Sequence, residues 1–95
     1  MAITCETADD TARVGIEGEL TIYTVAELAA ALLPQVGAAS RLELDLSEVT
    51  EMDGAGLQLL AVLQREAGIN GTALSVVGKS QAVMQTFQLC GSAAS

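Results

Sequence analysis

Hydrophobic and polar residues alternate at three places along the chain, and each alternation predicts a β-strand with one buried face. These segments span residues 3–7, 12–16 and 41–46. The polar turn Asp9–Asp10–Thr11 separates the first two, which are therefore predicted to form a hairpin that Gly18 closes. A fourth segment, at 73–77, is almost continuously apolar and ends at Gly78. Such a run is typical of a strand that is buried on both faces.

Helical periodicity follows the hairpin. Thr24 is expected to begin a helix, because Glu27 stands three residues later and the two can form a capping box. Tyr23 stands at the position of a hydrophobic staple. Pro34 has no amide hydrogen to donate, so the regular helix is predicted to end by Leu33. The predicted inward face consists of Val25, Leu28, Ala29, Leu32 and Val36.

Two further helices are predicted. The first follows Asp53, whose carboxylate can accept hydrogen bonds from the free amides of the next turn. Its predicted inward face contains Leu59, Leu60, Leu63 and Ala67. Leu57 and Val62 fall outside that face. They are interpreted either as residues that flank the core or as a shallow apolar patch for contact with a partner. The last helix is predicted to begin at Ser80 and to end at Gly91. Its inward stripe comprises Val83, Met84, Phe87 and Cys90.

The predicted element order is β-β-α-β-α-β-α in an α/β fold. Strands that alternate with helices indicate a small mixed sheet, largely parallel, with the helices packed on it. At 95 residues the chain is predicted to be one domain over residues 1–95, with a loose tail at 92–95. The two cysteines match no zinc-site spacing, and both are expected to be buried thiols.

Charge narrows the classes of partner. The net charge is −8 and the isoelectric point is near 4.1, which argues against nucleic acid and anionic membrane surfaces and suits a basic protein partner. No apolar run approaches the roughly 20 residues that a membrane-spanning helix needs. The chain is therefore expected to be cytoplasmic and not to insert into a membrane.

One stretch organises the chain: LDLSEVTEMDGAGLQLL, at 44–60. It resembles the central signature of the STAS domain, the module of anti-sigma-factor antagonists. In that signature a strand ends in Asp-Leu-Ser, and a helix opens on Asp-(Ser/Thr)-(Ser/Ala)-Gly-Leu. The resemblance extends over about residues 3–90 and is closest at 18–23 and 45–60. It implies helices gathered on one side of the sheet. One departure stands out, because the family's phospho-acceptor serine or threonine is replaced by Gly54.

The resemblance implies a docking face at the loop and helix start near Asp53. Its expected partner-binding residues are Thr50, Glu51, Asp53, Gly54, Ala55, Leu57, Gln58 and Val62. The implied function is a non-enzymatic signalling adaptor for a regulatory protein, either an anti-sigma factor with a kinase-type fold or a chemotaxis kinase. A weak homodimer is included among the expected assemblies. No cofactor, metal or phospho-acceptor at position 54 is expected.

Three alternatives stay open at this point. The same fold and face serve a cytoplasmic accessory subunit of an ABC-type phospholipid transporter. A receiver-like phosphoaspartate domain would use Asp9–Asp10, Asp45 and Lys79, but the chain has too few strand–helix units for it. An enzyme could use an acidic loop made by Glu48, Glu51 and Asp53. No histidine or nucleophile accompanies that loop, so catalysis is not expected.

Overall fold

The computed structural model describes residues 2–89 of the chain. Its elements are β1 (Ala2–Ala8), β2 (Thr11–Leu20), α1 (Val25–Leu32), a 3₁₀ turn (Leu33–Gln35), β3 (Arg41–Met52), α2 (Gly54–Asn70), β4 (Ala73–Lys79) and α3 (Gln81–Leu89). The predicted order β-β-α-β-α-β-α is confirmed. The predictions for Cys90, Gly91 and the tail at 92–95 lie outside the described residues.

The four strands form one mixed sheet in the order β1-β2-β3-β4. β1 and β2 are antiparallel, whereas β2, β3 and β4 run parallel to one another. The hairpin turn has two residues, Asp9 and Asp10, with φ of 52° and 62°. That left-handed pair matches the right-handed twist of the flanking strands, so the predicted hairpin is confirmed.

The core lies between the sheet and the helices on one of its faces. Its central side chains are Val14, Ile16, Leu42, Leu44, Leu46, Leu28, Leu32, Leu63 and Val83, none of them more than 1% exposed. The opposite face is polar and open: Arg13 Nε lies 3.7 Å from Glu43 Oε1 there. The alternation at 12–16 in β2 and at 41–46 in β3 therefore reflects a sheet with one buried face.

The strands differ from the prediction in two ways. β4 was predicted to be buried on both faces, which is wrong: it alternates between exposed and half-buried residues, and Val77 is 42% exposed. The reason is that β4 is an edge strand and that none of the helices within residues 2–89 covers the other face of the sheet. In addition, β2 continues past Gly18 to Leu20, and β3 continues to Met52. Pairing between these two strands extends both, with register shifts at bulges.

The start of α1 also differs. Thr24 precedes the helix, but its side chain makes no cap hydrogen bond to it. Instead, the Thr24 hydroxyl accepts from the Thr21 amide at 3.0 Å, so the capping box with Glu27 is wrong. Tyr23 is 90% exposed and forms no staple. The inward face is confirmed: Leu28 and Leu32 are buried, while Val25, Ala29 and Val36 pack against the core.

Two further side chains are more exposed than predicted. Cys5 is exposed, because β1 is an edge strand that the helices leave largely uncovered. Met84 is 47% exposed, since the inward face of α3 is narrower than predicted and centres on Val83 and Phe87. The cap of α3 is confirmed, as Ser80 Oγ accepts from the Val83 amide at 3.2 Å.

Candidate functional site

Asp53 joins the end of β3 to the start of α2. Its Oδ1 accepts from the amides of Ala55 at 3.0 Å and Gly56 at 3.2 Å, which confirms the predicted N-cap. Its Oδ2 accepts from the amide of Ile22 at 3.1 Å. The Ile22 hydrogen bond is the main reason that the pKa of Asp53 lies below its ordinary value. Asp53 is therefore held as a carboxylate, and both of its oxygens are engaged.

The two glycines of the first turn have different environments. Among residues 2–89, no atom lies within 4 Å of where a Cβ of Gly54 would stand, and Gly54 is exposed. A Cβ at Gly56 would instead overlap the carbonyl oxygen of Leu20 and lie 2.9 Å from Leu20 Cγ. Gly56 is buried, so it allows α2 to pack closely on the end of β2. Only Gly54 leaves a bare surface at the helix start.

The structure brings the predicted site residues into one region. Thr50, Glu51, Gly54, Gln58 and Val62 are exposed, whereas Asp53, Ala55 and Leu57 are half-buried. Gly54, Gln58 and Val62 are spaced by four, so they lie along one side of α2. Leu57 packs partly against the core, which limits the contact it can offer. Glu48 and Glu51 lie on β3 rather than on the acidic loop predicted from the sequence.

An open cleft of about 630 Å³ adjoins this surface. It lies between the segment that ends β2, the end of β3 and the side of α3 that carries Ala82, Gln85, Thr86 and Leu89. Three carboxylates line it, from Glu19, Glu51 and Asp53, and no Lys or Arg is found among the residues of 2–89 that line it. The cleft is therefore a local concentration of the chain's negative charge.

Sequence reasoning missed two residues beside Asp53. Ile22 is 66% exposed, and Tyr23, which had been assigned to a staple, lines the cleft. A signal was present in the run Thr21–Thr24: two large apolar residues stand between threonines, ahead of a helix whose inward face is complete without them.

Thr72, away from this loop, is a further residue that the sequence did not single out. Its buried hydroxyl accepts from the Gly37 amide at 2.9 Å and donates to the Ala39 carbonyl at 3.1 Å.

The receiver-like arrangement is not assembled. Asp9–Asp10 form the hairpin turn at the start of β2, at the opposite end of the parallel strands from Lys79. Asp45 lies within β3, where the Ser47 hydroxyl donates to its Oδ1 at 2.6 Å and lowers its pKa. Lys79 Nζ stacks over the Phe87 ring at 5.2 Å. A phosphoaspartate site would need these groups together.

Within residues 2–89, no group of three or more His, Cys, Asp or Glu residues is placed to hold a metal ion. None of the helices in the same range is both long enough and apolar enough to cross a membrane.

Known proteins place this chain in a family. It is 31% identical over 86 residues to the anti-sigma-B factor antagonist of Staphylococcus epidermidis, covering 90% of this chain and 80% of that protein. The fold matches an anti-sigma factor antagonist from Mycobacterium paratuberculosis with a TM-score of 0.83 and 27% identity, over 95% of this chain and 77% of the other. The fold also matches the phosphorylated form of the Bacillus cell fate determinant SpoIIAA, with a TM-score of 0.73 and 22% identity. That match covers 95% of this chain and 84% of SpoIIAA.

A family model described as "Mlab, STAS domain" matches residues 3–94, nearly the whole chain. The resemblance seen in the central stretch is thereby confirmed. This chain belongs to the STAS domain family and resembles its anti-sigma-factor antagonists.

Proposed function

We propose that this protein is a non-enzymatic signalling adaptor that docks on a regulatory protein through the end of β3 and the start of α2. The observation that carries the proposal is the open space at Gly54, the first residue of α2, in a chain related to an anti-sigma-B factor antagonist. The proposed contact residues are Thr50, Glu51, Asp53, Gly54, Ala55, Leu57, Gln58 and Val62. A partner backbone can approach Gly54 closely because no side chain stands there.

The same position bears on regulation. In the STAS resemblance the residue after the N-cap aspartate carries the phosphoryl group, and a phosphate there would add about two negative charges to the docking face. Gly54 has no hydroxyl to accept it. Docking is therefore proposed to be independent of phosphorylation at this position, and to depend on the abundance or state of the partner.

The proposed partner is a cytoplasmic regulatory protein with a basic contact surface. A chain with a net charge of −8 and an acidic cleft beside its docking face favours such a surface. Two kinds of partner fit: an anti-sigma factor with a kinase-type fold, and a chemotaxis kinase.

Calorimetry tests the proposal. The purified protein is titrated into each purified anti-sigma factor and chemotaxis kinase encoded by its own genome. Saturable one-to-one binding to one of them is expected, with no phosphoryl transfer to residues 50–60 when ATP is added. If none of these proteins binds, the proposed function is wrong.

A second candidate is the accessory subunit of an ABC-type phospholipid transporter. It is favoured by membership of the STAS domain family over residues 3–94, because the resemblance implies that the same fold and face serve such a subunit. Titration into the purified ATPase subunit of such a transporter distinguishes the two candidates, because binding to that subunit alone would select the second.

A further inference from the structure

The loop Thr21–Thr24, between β2 and α1, has its polar side chains inside and its apolar side chains outside. Thr21 is only 6% exposed, and its hydroxyl accepts from the Tyr23 amide at 3.3 Å. The Thr24 hydroxyl is half-buried and within 3.0 Å of the Glu19 carbonyl, to which it can donate. Ile22 and Tyr23 are 66% and 90% exposed. Ile22 and Tyr23 are adjacent in an ordered loop and together expose an apolar surface that a partner could favourably bury.

Asp53 fixes the backbone of this loop. The Ile22 amide donates to Asp53 Oδ2 at 3.1 Å, and the Asp53 amide donates to the Leu20 carbonyl at 3.3 Å. The other carboxylate oxygen is engaged by the first turn of α2. One side chain thus ties the loop to the helix start, although Ile22 and Asp53 are 31 positions apart. The loop and the start of α2 form one continuous, hydrogen-bonded surface.

We propose that Ile22 and Tyr23 are a preorganised apolar contact for the protein partner, and that Asp53 is the positioning residue that holds them in place. This inference rests on the proposed function and extends its docking face from α2 across to the loop. A loop that is already ordered loses little conformational freedom on binding. Tyrosine is also enriched among the residues that dominate binding energy at interfaces.

The surroundings of Tyr23 define the chemistry of the partner. The cleft that Tyr23 lines carries the carboxylates of Glu19, Glu51 and Asp53, and its lining within the described part of the chain contains no Lys or Arg. Complementary charge on the partner would be positive. The occupant is therefore a regulatory protein with an apolar pocket for Ile22 and Tyr23, bordered by Lys or Arg side chains.

Alanine substitutions test the contact. Ile22→Ala and Tyr23→Ala are titrated into the anti-sigma factor or chemotaxis kinase that binds the parent protein. Each is expected to weaken binding about tenfold or more. Ile69→Ala is the matched control, since Ile69 is 72% exposed at the far end of α2, and its affinity should stay within about twofold of the parent. Parental affinity in both loop variants would overturn this inference and leave the proposed function standing. Failure of the parent itself to bind would overturn both.

Tyr23 also reports on its own position. It is the only tyrosine of the chain, so labelling with 3-fluorotyrosine gives a single ¹⁹F signal. That signal should shift when the same partner is added. An unchanged signal at saturation would place Tyr23 outside the interface.

A measurement without the partner tests Asp53. Asparagine is an equally good N-cap, so Asp53→Asn should stay folded. Its side chain cannot offer two carboxylate oxygens, however, and the hydrogen bond to the Ile22 amide should be lost. Hydrogen exchange by NMR should then show the Ile22 amide exchanging about tenfold faster or more, with the Leu63 amide unchanged. A parental exchange rate at Ile22 would show that Asp53 does not hold the loop.

Discussion

The carbonyl oxygen of Leu20 fills the space that a Cβ of Gly56 would occupy. This contact sets how closely the first turn of α2 packs on the end of β2. Gly54, two residues earlier, faces open space instead. Two glycines that look alike in the sequence therefore serve different purposes, one for packing and one for an open surface.

Substituting alanine at each of the two glycines tests their roles separately. Gly56→Ala should destabilise the protein by about 1–3 kcal/mol or more, because the backbone of β2 or α2 must move to admit the methyl group. Gly54→Ala should be neutral or stabilising by up to about 1 kcal/mol, since alanine fits there and limits the unfolded chain. Denaturant midpoints measure both. Equal losses in the two variants would contradict the packing described for Gly56.

Charge at Gly54 tests the docking face. Gly54→Asp should fold, because aspartate is favourable in the first turn of a helix. It should bind the partner much more weakly, because an unpaired charge would be buried in the interface, where each 1.4 kcal/mol lost is about a tenfold fall in affinity. Gly68→Asp is the matched control: a Cβ there also meets nothing within 4 Å, but Gly68 lies near the other end of α2. Calorimetry compares the two, with circular dichroism to verify folding. If Gly54→Asp binds as tightly as Gly68→Asp, the docking face lies elsewhere.

The orientation of α2 about its own axis can be tested at two adjacent residues of the helix, Val62 and Leu63. Leu63 is fully buried, so Leu63→Ala should cost about 2–5 kcal/mol. Val62 is 37% exposed, and Val62→Ala should cost about 0.5 kcal/mol or less. Urea unfolding of the two variants provides the comparison. A loss at Val62 as large as that at Leu63 would mean that Val62 belongs to the core.

Acid should weaken the contact between the hairpin turn and the start of β3. The Ser40 hydroxyl and the Ser40 amide both donate to the Asp10 carboxylate. These hydrogen bonds, chiefly that of the hydroxyl, hold the pKa of Asp10 below its ordinary value. A carboxyl group whose pKa is lower in the folded than in the unfolded protein stabilises the fold at pH values above its unfolded pKa. That stabilisation is lost as the pH falls through its folded pKa. The stability gap between the parent and Ser40→Ala should therefore be full at pH 7 and shrink below about pH 4. Urea midpoints across that range measure it, and a gap that stays constant would exclude the carboxylate as its source.

The sequence by itself determined the order of the elements, the hairpin and the buried face of α2. Those features depend on local periodicity and capping, such as the alternation around Leu44 and the position of Asp53 ahead of α2. The central stretch also identified the family, and with it the helix start that we propose as the docking face.

Only the tertiary structure decided which apolar residues are covered. Val77 is exposed because β4 lies at the sheet edge and Val77, unlike Val76, does not point to the core, which no local pattern encodes. Tyr23 faces solvent in a loop whose Ile22 amide donates to Asp53, 31 positions along the chain. The roles of Gly54 and Gly56 separated for the same reason, since only the packing of α2 on Leu20 distinguishes them. Each of these outcomes depends on a contact between distant segments, which the residues on either side of a position do not determine.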